Sequence, residues 1–177
     1  GRAHCNHAIL LKAAEPIDDE ALRRAVAALW RHHDSLRLRF RIDPDRVTQS
    51  AADPQAPPGP DSVDLRGHPD PWGALRADVA TRHEGFDLAT GPLLAAIVYR
   101  LDEGDFLVLL AHHLVTDALS WRFLLDDLAT GYRQARAGAA IALPPVGASY
   151  LDWARALETY RRSEHLAARK PDWDKID

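Results

Sequence analysis

The chain has 177 residues, 46% hydrophobic and 27% charged, the profile of a folded domain with one ordinary core rather than a disordered segment. Net charge is −4 and the arginines are spread along the sequence, so nothing calls for nucleic acid or an anionic membrane surface. Apolar runs such as Phe106 to Ala111 are far too short to span a bilayer, and no secretory pattern opens the sequence. Cys5 is the single cysteine, so no intrachain disulfide is possible and a reducing, cytoplasmic setting is expected.

Ala8 to Lys12 is short and apolar and reads as a strand, broken by Pro16. Asp18, Asp19 and Glu20 place acids where a helix N-terminus favours them, and Leu22, Val26 and Leu29 or Trp30 recur down one helical face. Asp34 and Ser35 end that helix. Leu36, Leu38, Phe40 and Ile42 then alternate with Arg37, Arg39 and Arg41, which predicts a strand with one buried and one basic face. Residues 43–71 hold seven of the twelve prolines, a density that suits loops and sheet edges, with short strands expected around Val47–Ser50 and Ser62–Leu65. A helix is predicted over Trp72–His83.

Leu94–Leu101 and Phe106–His112 read as two strands joined by a hairpin-like turn at Asp102-Glu103-Gly104-Asp105. The run from Phe106 is apolar on both faces, which marks a central strand. Beyond it, Trp121, Leu124, Leu125, Leu128 and Tyr132 share a helical face, with Gly138 as the terminating glycine. Ser149 caps a further helix, with Asp152 completing a short capping box. Residues 1–168 are expected to form a single lobe and Arg169–Asp177 a polar tail. The mixture of strands and helices without strict alternation predicts an α+β layer architecture, a mostly antiparallel mixed sheet covered by helices.

The stretch of greatest chemical interest is Ala111-His112-His113-Leu114-Val115-Thr116-Asp117. Successive side chains on a strand point to opposite faces, so His112 and His113 do not converge on one ion, and no metal site is expected there. One histidine points inward and the other toward a cleft, where an imidazole is suited to general acid–base work. Asp117 either orients an imidazole or pairs with an arginine to hold the loop. Glu84 and Asp87 are the carboxylates nearest in composition to a second acid–base group, although solvation explains most such residues. The arginines at 37, 39 and 41 read as a solvated face rather than a phosphate site.

His112-His113-Leu114-Val115-Thr116-Asp117-Ala118 resembles the HHxxxDG motif of condensation-type domains of nonribosomal peptide synthetases. The continuation Leu119-Ser120-Trp121-Arg122-Phe123-Leu124-Leu125-Asp126-Asp127-Leu128 looks most like the epimerization subgroup, whose pattern runs HHxxxDxxSWxxLxxDL. Arg31-His32-His33-Asp34-Ser35-Leu36-Arg37-Leu38-Arg39-Phe40 is similar to the second core motif of that family, and Phe86-Asp87-Leu88-Ala89-Thr90-Gly91-Pro92-Leu93 to its FDLxxGPL segment. Leu143-Pro144-Pro145 with Ser149-Tyr150-Leu151-Asp152-Trp153 agrees with the same subgroup.

The resemblance implies a chloramphenicol-acetyltransferase-like lobe, one of two that form a V with the active site in a tunnel between them. It implies that His113 is the catalytic residue and that His112 and Asp117 are structural, the aspartate through a salt bridge. Ser120 and Trp121 are implied to shape the site floor. The implied activity is L-to-D epimerization at the Cα of an aminoacyl or peptidyl thioester, presented on the 4′-phosphopantetheine arm of a peptidyl carrier protein, with no directly bound cofactor. Peptide-bond condensation and a non-catalytic lobe that docks a carrier protein are the alternatives. A second, C-terminal lobe or neighbouring synthetase domains are the expected partners, and an uncovered apolar face with self-association is expected in their absence. Ala118 stands where the motif has glycine, a cost only if that position needs a positive φ or a close backbone approach.

Overall fold

The computed structural model describes residues 5–173. In chain order the strands are β1 (Asn6–Lys12), β2 (Leu38–Asp43), β3 (Arg46–Ala51), β4 (Asp61–Asp64), β5 (Leu94–Leu101) and β6 (Gly104–His112). The helices are α1 (Asp19–His32), α2 (Pro71–Glu84), α3 (Ala118–Arg136), α4 (Tyr150–Arg161) and α5 (Glu164–Trp173). Two compact units result, one ending at Pro145 and one beginning at Val146.

The main sheet has the order β1-β6-β5-β4. β6 is antiparallel to both β1 and β5, and every residue from Phe106 to His112 is buried, as an apolar run on both faces requires. The β5–β6 turn is Asp102-Glu103, closed by Gly104 at φ 122°, where a side chain would strain the backbone. β4 pairs in parallel with β5 at the sheet edge. It is short and follows Pro60, as suits a strand with one free side.

Alternation divides the core into two layers. Ile97, Tyr99 and Leu101 of β5 join Phe106, Val108 and Leu110 of β6 in one cluster, which also holds Leu75 and packs against Trp72, Ala74 and Val79 of α2. On the other face Leu107 meets Leu22 of α1 and Leu128 of α3 around an apolar groove of about 430 Å³. Asp18 starts α1 by accepting the Ala21 N–H at 2.9 Å, and its own N–H donates to Tyr132 Oη of α3 at 2.9 Å. α1 and α3 approach closely at Gly131, where an added Cβ would lie 3.6 Å from Ala25 Cβ. α2 begins with Pro71 behind the Asp70 cap, whose Oδ1 accepts the Gly73 N–H at 2.8 Å.

The architecture is the expected α+β lobe with a mostly antiparallel sheet under helices, but three local expectations are corrected. The basic strand starts later: Asp34–Arg37 is a 3₁₀ turn, and Arg37 sits half-buried with Nη1 donating to the Ala52 carbonyl at 3.2 Å. β2 pairs only with β3, in a separate two-stranded sheet. Its base, Leu38 and Phe40, is buried, whereas Ile42 near the tip is 42% exposed opposite Val47, because nothing among the described residues lies over the end of the hairpin. Finally, Arg169 does not open a tail: α5 continues through it to Trp173.

In the unit from Val146, Ser149 Oγ accepts the Asp152 N–H at 3.1 Å and donates to Asp152 Oδ2 at 2.8 Å, the predicted capping arrangement for α4. Among the described residues, no helix is long and apolar enough to cross a membrane.

Candidate active site

β6 ends at His112, and the main chain turns there into α3. The β1–β6 register sets Asn6 opposite His112 and His7 opposite Ala111. Paired residues share a face, so the register predicts two distinct environments on either side of the sheet. On the α2 side, Asn6 Nδ2 donates to the carbonyl of His83, in the last turn of α2, at 2.7 Å. His112 is 2% exposed on that side, and its Nδ1 accepts the Leu114 N–H at 3.0 Å. Burial, reinforced by neighbouring His113, lowers its pKa, so His112 is a neutral core residue that shapes the turn.

His113 lies on the α3 side and is exposed. Its N–H donates to the Cys5 carbonyl at 2.7 Å, which carries the ladder one residue past the end of β1. Its Nδ1 lies 2.9 Å from the Thr116 carbonyl oxygen. A carbonyl only accepts, so this bond puts the proton on Nδ1 and leaves the Nε2 lone pair of the neutral ring free. That is the state a general base requires.

Asp117 holds the loop by capping α3. Its Oδ1 accepts the Ser120 N–H at 2.7 Å and the Ser120 hydroxyl at 2.6 Å. The Ser120 hydroxyl, followed by the backbone N–H, keeps this carboxyl below its ordinary range. No arginine pairs with Asp117 among the described residues; what engages its carboxylate there is the first turn of α3. Ser120 is correspondingly turned toward Asp117. Ala118 is the first helical residue of α3, and no described non-glycine residue has a positive φ, so its methyl group meets no backbone strain.

Trp121 is 7% exposed, and its indole N–H donates to His7 Nδ1 at 3.3 Å. The His7 ring lies 4.3 Å from that of His113, centroid to centroid, at 52°. His7 is thus a member of this cluster that no local motif announced. The β1–β6 register, once known, is the signal that finds it.

Other candidates lie elsewhere. Asp87 Oδ1 accepts the N–H groups of Ala89 at 2.7 Å and Thr90 at 3.2 Å, building the turn before β5, and Glu84 is the last residue of α2. Cys5 is exposed and contributes its carbonyl to the site. A separate group, His32, His33 and Asp127, brings ligand-type atoms within 4.8 Å of one another. There His33 Nε2 and Asp127 Oδ2 lie 2.7 Å apart and tie the end of α1 to α3. Burial lowers the His33 pKa, partly opposed by the Asp127 carboxylate. His113 lines neither the 430 Å³ groove nor the depression of about 510 Å³ along α1 by Arg24 and His32. The large apolar side chains Leu114, Leu119 and Phe123 stand 42%, 65% and 56% exposed beyond it.

Residues 1–176 match the condensation domain family. The chain is 36% identical over 180 residues to a plipastatin synthase polypeptide of Bacillus subtilis (strain 168), covering 99% of this chain and 7% of that protein. It is 33% identical over 179 residues to tyrocidine synthase 1 of Brevibacillus parabrevis, covering 98% of this chain and 16% of that protein. Its fold is similar to the crystal structure of the epimerization domain from the third module of tyrocidine synthetase B, with a TM-score of 0.90 and 29% identity over 99% of this chain and 40% of that one. It is also similar to the first condensation domain of the calcium-dependent antibiotic synthetase, solved with a substrate analogue, with a TM-score of 0.79 and 25% identity over 98% of this chain and 42% of that one. The chain therefore spans about two fifths of these solved domains and a small part of the synthases. The match across almost its full length shows that this chain belongs to the condensation domain family.

Proposed function

We propose that the chain supplies the proton-transfer residue for epimerization of the Cα of an aminoacyl or peptidyl thioester, carried on the phosphopantetheine arm of a peptidyl carrier protein in the cytoplasm. The observation that carries this reading is the 2.9 Å contact between His113 Nδ1 and the Thr116 carbonyl, which leaves Nε2 as a free base on an exposed ring. Nε2 takes the Cα proton, and charge develops on the thioester carbonyl, which needs stabilising donors. A proton returned to the opposite face completes inversion. A second carrier for that face is assigned to a C-terminal lobe or a neighbouring synthetase domain.

Ser120-Trp121 after the motif and the likeness to a solved epimerization domain support epimerization. Condensation is the second reading, favoured by the likeness to a solved condensation domain. There the same Nε2 would assist attack of an acceptor amine on the thioester carbonyl. The two readings part when the polypeptide carrying this chain is given a carrier-bound L-aminoacyl thioester in D₂O, with and without an acceptor amine. Deuterium at Cα and a D-product are expected. Amide formation without Cα exchange overturns epimerization in favour of condensation. Carrier binding with neither reaction overturns both in favour of a docking lobe.

A further inference from the structure

We infer that His7 is a positioning residue for His113, and that Trp121 acts on the site through it; the inference rests on the proton-transfer reading of His113. Antiparallel pairing places His7 opposite Ala111, and the ladder continues to the bond from His113 N–H to the Cys5 carbonyl. His7 and His113 are therefore diagonal neighbours on one face of the sheet, within reach of ring contact. The 4.3 Å centroid separation at 52° is that contact. Two features thus bound the His113 imidazole: the Thr116 carbonyl at Nδ1 and the His7 ring beside it. The first selects the tautomer. The second limits rotation away from it, which matters because His113 is otherwise exposed.

His7 is itself held. An indole N–H only donates, so the 3.3 Å contact with Trp121 makes His7 Nδ1 the acceptor and puts its proton on Nε2. Trp121 reaches this position because Asp117 caps α3 one turn earlier, and helical side chains lean back toward the N-terminus. The result is a relay of position, Trp121 to His7 to His113, that joins α3 and β1 to the reacting ring. It gives a physical reason for a tryptophan at this place after the motif: its nitrogen orients a second ring.

The test is side-chain ¹⁵N NMR of His113 in this chain, with His7→Ala, His7→Phe and Trp121→Phe. In the parent, His113 is expected as a single Nδ1–H tautomer. His7→Ala is expected to average tautomers and ring rotamers. His7→Phe restores a ring face and is expected to recover most of the single state. An unchanged His113 pattern in His7→Ala, with the amide spectrum of a folded chain, overturns the inference. Should His7→Ala not fold, Trp121→Phe reads the same link, with averaging expected and an unchanged pattern overturning it. In Cα exchange, His7→Ala is expected to lower kcat about tenfold with KM unchanged, taking as a guide the lower end of the loss when the partner that orients a metal-bound imidazole is removed. A disordered His113 with unaltered exchange would leave the positioning link standing and contradict the proton-transfer reading instead.

Discussion

Asp117 offers the sharpest test of how the site loop is held. Its carboxylate accepts the Ser120 N–H at 2.7 Å and the Ser120 hydroxyl at 2.6 Å, and it makes no ion pair with arginine among the described residues. If capping is its role, Asp117→Ala removes the cap of α3 and costs about 1 kcal/mol, within a range of about 0.5–2. Asn caps nearly as well as Asp, so Asp117→Asn loses only the charge at the helix N-terminus, about 0.3–1 kcal/mol before screening. Asp117 is exposed, so the smaller figure applies. Urea denaturation of the three proteins, with the slope of the transition held as a control, measures both differences. The alanine variant should also lose turnover through the freed Thr116 carbonyl, and the asparagine variant should keep most of it. A loss with Asp117→Asn equal to that with Asp117→Ala would refute the reasoning. It would mean that charge pairing, as the motif resemblance implied, holds the loop.

Two further outcomes follow from the buried histidines and from the helix contact. Burial depresses His33 and His112 below their ordinary value of 6.5, so the unfolded chain takes up more protons there than the folded one as pH falls. Stability from these groups is present above 6.5 and lost as pH drops below it; the urea midpoint at pH 5.5 should be lower than at pH 7.5, and an equal or higher midpoint contradicts the assignment. Gly131→Ala should stabilise α3 by up to about 1 kcal/mol, since the new Cβ meets Ile141 and Ala25 only at ordinary contact distances of 3.5 and 3.6 Å. A lowered midpoint would show that the α1–α3 contact is tighter than these distances imply.

The strand end was legible in the sequence because one local rule governs it. Apolar residues on both faces marked β6 as central, and alternation alone separated His112 from His113. The cap formed by Asp117 was not read from the sequence, because an Asp at that spacing suits an imidazole or an arginine partner as well as the Ser120 N–H. His7 was not legible. It stands 114 positions from Trp121, and only the long-range register of β1 on β6 brings it to the site. Ile42 kept the alternation of a half-buried strand yet is exposed, because period two says which side chains share a face and not whether anything covers that face. The helix over Glu164–Trp173 was hidden by its polar composition and Pro171.

The central claim is that His113 moves the Cα proton. The direct measurement is deuterium incorporation at Cα of a carrier-bound L-aminoacyl thioester in D₂O, by mass spectrometry, in the parent and in His113→Ala. Loss of a general acid–base residue lowers the rate by about 10²–10⁴. The account predicts a loss of that size with carrier binding retained. Exchange that persists at the parent rate in His113→Ala would contradict it.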